Sequence, residues 1–252
     1  MRVAGARRER RDGAVVVGAR FEWEDAGIAP VELEFAGEGA AAEHLLPDAN
    51  AFLLAAAFPA ARRGERRIAL EGAVCPVLRD GLATAARILD GWYGGARRIP
   101  TIEPSGGFRA PFPPPRRSAS FLSGGVDSVE LLLTNRAQFG SDHPASIRDV
   151  LLLDGFPLAC PGGSDARRNH SERALRSAGA VAAAAGAPLT RVSTNLAALE
   201  SDFGFSEREW YGAAFAAVAH LFSSRFSSVA LASDYALSGA MPPNGSHPLL
   251  DP

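Results

Sequence analysis

The sequence predicts an α/β protein: a parallel, doubly wound sheet in the C-terminal half, preceded by a small α+β domain. Two observations carry this. Beyond residue 118 short apolar runs alternate with helical stretches, the pattern of parallel strands joined by helical crossovers. Ahead of it, residues 104–117 contain Pro104, Gly106, Gly107, Pro111, Pro113, Pro114 and Pro115, and such a stretch supports neither a helix nor a central strand. The chain is therefore read as a small domain over 1–103, a linker over 104–117 and a second domain over 118–252.

Each element follows from its residues. Strands are expected at 15–23 and 31–35, where Val31, Leu33 and Phe35 alternate with Glu32 and Glu34. A helix over 48–63 precedes a strand at 67–70. Pro76 suits the first turn of a helix over 76–92, whose Leu78, Leu82, Ala85, Leu89 and Trp92 form one stripe. A short strand at 98–102 closes the first unit. In the second half, strands at 119–122, 149–153, 189–193 and 228–232 alternate with helices at 126–138, 165–185 and 207–222. Ligands of such sheets bind beyond the carboxyl ends of the strands.

Composition narrows the function classes. The 252 residues are 47% hydrophobic and 21% charged, which excludes a disordered or collagen-like chain. The formal charge of −2 argues against nucleic acid as the main partner. Every one of the 26 cationic side chains is arginine, so neither a lysine Schiff base nor a Walker lysine can form. Cys75 and Cys160 have no CxxC neighbour, which fits a reducing compartment. The apolar run at 14–19 is too short for a signal peptide, and the run at 51–61 is cut by Pro59. A cytoplasmic protein without a membrane partner is expected. The apolar 51–59 segment serves an interface as readily as a core, so a homo-oligomer stays open.

At the end of the 119–122 strand stands Ser123-Gly124-Gly125-Val126-Asp127-Ser128, followed at once by a helical run. Two glycines let backbone amides approach an anion, and a helix N-terminus adds unpaired N–H groups. The hydroxyls of Ser123 and Ser128 are further donors. A carboxylate at Asp127 would repel a polyphosphate unless a divalent cation bridges the two, so Mg²⁺ is implied.

Together with Phe121 and Leu122, this segment resembles the PP-loop of N-type ATP pyrophosphatases, the superfamily of asparagine, GMP and NAD synthetases. The resemblance covers the chain from about Ser118 onward and implies an adenine nucleotide alpha hydrolase-like fold. It also implies cleavage of ATP to AMP and pyrophosphate, with AMP passing to a carboxylate or carbonyl oxygen of a small-molecule substrate for displacement by a nitrogen nucleophile. By the same resemblance Ser123, Gly124, Gly125, Val126 and Ser128 hold the pyrophosphate, Asp127 holds Mg²⁺, and Asp154, Gly155 and Phe156 frame adenine. Asp127 and Ser128 are expected to be catalytic, with Asp234 as a second acidic group near substrate or metal.

Other features read more blandly. His220 is expected to satisfy a helix-terminal dipole, and His170 with Arg167, Arg168 and Arg173 to form a solvated helix face. The superfamily often supplies a later Lys or Arg to the polyphosphate, and a fifth strand and helix normally follow where this chain ends, so it looks truncated or unusually short. A module that holds ATP or AMP without turnover is the main alternative. An RNA sulfurtransferase acting through Cys160 is weaker, because no second cysteine accompanies it.

Overall fold

The structure, a computed structural model, describes residues 1–25, 27–95, 97–110, 117–156, 163–232, 242–245, 247 and 249–250. It is an α/β fold. Nine strands form one mostly parallel sheet: β1 (Arg2–Arg11), β2 (Ala14–Glu22), β3 (Val31–Gly39), β4 (Arg67–Leu70), β5 (Thr101–Pro104), β6 (Ser118–Phe121), β7 (Ile147–Asp154), β8 (Leu189–Thr194) and β9 (Ser228–Ala230), in the order β5-β4-β1-β2-β3-β8-β7-β6-β9. Among the described residues no helix is long and apolar enough to cross a membrane.

The helices are α1 (Ala49–Arg62), α2 (Pro76–Tyr93), α3 (Val126–Gln138), α4 (Gly163–Ala185), the short α5 (Phe203–Phe205) and α6 (Tyr211–His220). They cover the C-terminal strands on both faces. Along β7 the pleat sends Leu151 to one core, with Phe121, Val192, α1 and α6, and sends Val150 and Leu152 to a second core with Leu132 of α3 and Ala178 and Ala182 of α4. In order of appearance the parallel block β8-β7-β6-β9 runs third, second, first, fourth. The chain therefore steps to the other side of β6 after β8, which makes the crevice beside β6 a topological switch point.

The two halves expected from sequence share this one sheet through an antiparallel seam between β3 and β8, from Phe35↔Thr194 to Gly39↔Thr190. Gly39 makes the close approach possible: at φ +109°, a Cβ on it would lie 2.4 Å from the Leu189 carbonyl oxygen. Asn195 prolongs the ladder past the end of β8, because its side-chain Oδ1 accepts from the Glu34 N–H at 2.8 Å and its Nδ2 donates to the Glu32 carbonyl at 2.7 Å.

Helix α1 is buried continuously from Ala51 to Ala60, capped by Asp48 accepting from the Asn50 N–H at 2.7 Å. The apolar 51–59 segment is thus core. At the far end of β6, Asp149 is 1% exposed and is held by Arg117 and by Arg225 at 2.7 Å.

Three elements depart from the expectation. β1 falls where only an Arg-rich terminus was read: beyond Val3 its side chains are mostly exposed, and Arg7 and Arg11 pair across the open face with Glu32 and Glu34. The signal was the turn, since Asp12 and Gly13 both have positive φ, as a tight hairpin requires. β5 starts at Thr101, whose N–H donates to Arg66 O at 3.0 Å, because Pro100 has no N–H to begin the ladder. The helix expected at 207–222 contains a π turn over Ser206–Trp210. Gly245 wedges into it, donating to Glu207 O at 3.0 Å and accepting from Gly212 N at 2.8 Å, so helical partners are exchanged for a second segment.

Gly39→Ala should lower the stability read from urea unfolding by about 2 kcal/mol or more, through backbone strain plus the clash at the seam. Gly81→Ala, in the open and exposed part of α2, should instead raise stability by up to about 1 kcal/mol. Equal effects from the two substitutions would remove the seam from this account.

Candidate functional site

The Ser123–Ser128 segment joins β6 to α3 at the switch point. Gly125 is the N-cap of α3 and no side chain caps it, so the first-turn N–H groups of Val126, Asp127 and Ser128 lack intrahelical acceptors and remain available. Val126 is 76% exposed, and Ser123, Gly125 and Asp127 are also exposed, so the first turn opens outward. Gly124 is dictated twice: its φ is +79°, and a Cβ there would meet Ser177 of α4 at 2.7 Å. Ser177 Oγ in turn donates to Gly124 O at 3.0 Å, which fastens the loop to α4.

Ser128 lies beneath the loop. Its hydroxyl donates to Gly125 O at 2.9 Å, leaving its oxygen to accept from Ser123 Oγ at 3.2 Å, and Ser123 Oγ accepts from Gly125 N–H at 3.3 Å. The buried hydroxyl thus braces the turn and orients Ser123, while the backbone amides and Ser123 face the open side.

At the end of β7, Asp154 is committed to neighbours rather than free. It accepts from Ser171 of α4 and from Arg191 of β8, each at 2.5 Å. Burial works to raise its pKa, but these two donors outweigh it and hold the carboxyl below its ordinary value. Gly155, at φ +91°, passes so close to the end of β8 that a Cβ would sit 2.0 Å from Thr194 O. Phe156 turns inward: its ring is 7% exposed and packs on Trp210, Tyr211 and Phe215 at centroid distances of 5.6, 5.8 and 5.9 Å. What it offers an adjacent ligand is therefore backbone. Phe121, which leads into the loop, joins the same aromatic group through Phe215 at 4.7 Å.

The structure thus brings the Ser123–Ser128 loop, anchored on α4, to the carboxyl edge of β6, with Asp154 and Gly155 at the adjoining end of β7. Asp234, together with Ser233, Tyr235 and Cys160, lies outside the described residues. Among the described residues no group of three or more His, Cys, Asp or Glu side chains is arranged to hold a metal. Mg²⁺ asks for less: it is commonly held by one or two carboxylates plus substrate phosphates, and exposed Asp127 beside the open amides fits that donor set. His220 ends α6, and burial pushes its imidazole below the ordinary range with Asp48 opposing. A lowered pKa disfavours the charged imidazole that the expected dipole role requires. Sequence reasoning missed the Asp154–Arg191–Ser171 cluster, because its members come from three elements and carry no local motif.

No protein-family model, curated protein or solved structure matches this chain.

Because Asp154 has a depressed folded pKa, its contribution to stability is complete above the ordinary Asp value of about 3.9 and is lost as pH falls through the lower folded value. Asp154→Asn should therefore be less stable than wild type at pH 7, with the gap closing in acid below about pH 4. Urea unfolding at a series of pH values checks this, and a gap independent of pH would contradict it.

Proposed function

We propose that the chain is an adenine nucleotide alpha hydrolase-like, PP-loop enzyme that cleaves ATP to AMP and pyrophosphate and adenylates a carboxylate or carbonyl oxygen of a small molecule for attack by a nitrogen nucleophile. The observation that carries the reading is a glycine turn with open first-turn amides, placed at the carboxyl end of the first strand of the parallel block, where that block switches direction.

The chemistry asked of this site is mainly electrostatic. The acceptor oxygen bonds to the α-phosphorus while the bond to the β-bridging oxygen breaks, so negative charge builds on the departing pyrophosphate. The amides of Val126, Asp127 and Ser128 are fixed in place before that charge appears, and preorganised donors of this kind favour the transition state. Mg²⁺ held through Asp127 would neutralise phosphate charge. The nitrogen nucleophile then bonds to the activated carbon and AMP leaves with the electron pair. Asp154, already satisfied by Arg191 and Ser171, is assigned to holding the end of β7 in place, with the adjoining backbone framing adenine.

Titration calorimetry with a non-hydrolysable ATP analogue tests this directly. Wild type should bind in the presence of Mg²⁺, and Asp127→Asn should weaken that binding by about tenfold or more. Without Mg²⁺ the variant should bind as well as wild type or better, since a repelling carboxylate has been removed. Pyrophosphate release on substrate addition separates an enzyme from a module that only holds nucleotide. Failure of wild type to bind the analogue contradicts the proposal.

A further inference from the structure

Besides the β3–β8 seam, the two halves of the chain meet where residues 44–48 lie along residues 220–225. The Leu46 N–H donates to Leu221 O at 2.9 Å, and Ser223 Oγ donates to the Asp48 carboxylate at 3.2 Å. Arg225 completes this joint. Its Nη1 lies 2.9 Å from His44 Nε2, and its Nη2 donates to Asp149 at 2.7 Å.

The Arg225–His44 contact fixes the state of the imidazole. A guanidinium only donates and does not give up its charge, so Nε2 must accept, and the ring is uncharged with its proton on Nδ1. A proton on Nε2 would set two donors and two positive charges against each other. Arg225 has no easy retreat: Asp149, 1% exposed, would be left buried with Arg117 alone, and Arg225 Nε is already buried without a hydrogen-bond partner. His44 is half-buried at the end of a single turn, Ala42–His44, that no side chain caps, so it is the partner that yields.

The acids around the joint are already engaged. Glu43 pairs with Arg8 and Arg10 of β1, and Asp149 is shared by Arg117 and Arg225. Asp48 caps α1 and accepts from Ser223. Arg8 adds positive charge on the β1 side, where its Nε donates to Leu45 O at 3.0 Å. His220, at the other end of the joint, lies where burial disfavours a charged ring.

We propose that this joint is an acid-sensitive latch between the two halves of the chain, closed while His44 is uncharged and released when His44 Nε2 takes up a proton. It lies at the amino edge of the parallel block, opposite the loop after β6, and so does not depend on the nucleotide reading. Linkage gives the direction. The open joint binds the proton freely and the closed one resists it, so acid favours opening, by up to tenfold per pH unit below the ordinary histidine value of about 6.5.

The Leu46 amide reports on the joint, because its hydrogen bond crosses it. Hydrogen exchange, corrected for its intrinsic pH dependence, should show Leu46 protection in wild type falling about tenfold between pH 7.5 and 5.5. His44→Gln keeps an acceptor for Arg225 but cannot take up a proton, so it should lose most of that fall; His170→Gln, on the exposed face of α4, should keep it. Ring nitrogen spectra of wild type at pH 7.5 should place the His44 proton on Nδ1. Unchanged Leu46 protection in wild type, a fall in His44→Gln as large as in wild type, loss of the fall in His170→Gln, or a proton on Nε2 at pH 7.5 would each overturn the inference.

Discussion

A helix that is apolar on every side cannot rest on one surface, and α1 is such a helix. From Ala51 to Ala60 every residue is buried, so it must be enclosed by the sheet beneath it and by neighbours on its other sides. One neighbour is α6, on the same face of the sheet, whose Gly212, Ala214, Ala217 and Val218 are buried and small enough to let the two helices approach. The first half of the chain thus supplies a helix that the second half helps to cover. The β3–β8 seam follows from the same demand, since it brings α1 and α6 over one continuous surface. Its cost is a glycine at position 39 and an asparagine side chain standing in for backbone at position 195.

With the sheet joined, the candidate site has a rigid floor. β6 lies between β7 and β9 and carries the loop out at its carboxyl end. The loop has little freedom: Gly124 is trapped against Ser177, and the buried Ser128 hydroxyl braces Gly125 and Ser123. The donors that remain open are those first-turn backbone amides that any helix leaves unpaired at its start. Rigidity below and vacant donors above are what anion recognition requires, because donors held in place lose little entropy when the anion binds.

Much of this was legible in the residues. The strands and helices of the second half follow from apolar runs and punctuating glycines and prolines, and the loop was visible as a six-residue motif between a strand and a helix. What escaped depends on partners distant in sequence. β1 reads as polar because its open face is stabilised by lateral Arg–Glu pairs instead of burial, and only Asp12-Gly13 announced it. The π turn arises because Gly245 intrudes on residues more than thirty positions earlier. Asp154 and Phe156 were placed at the right strand end, but whether a carboxylate is free or a ring faces inward is decided by Arg191, Ser171 and Trp210. Local pattern locates a site; tertiary neighbours determine which of its atoms remain available.

The proposed function requires an anion to settle on the first turn of α3. Amide chemical shifts on titrating labelled protein with Mg²⁺ and a non-hydrolysable ATP analogue test this most directly. The largest and earliest perturbations should fall on the amides of Gly125, Val126, Asp127 and Ser128, with Ser177 following through its bond to Gly124. Saturable shifts elsewhere that leave those four amides in place would contradict it.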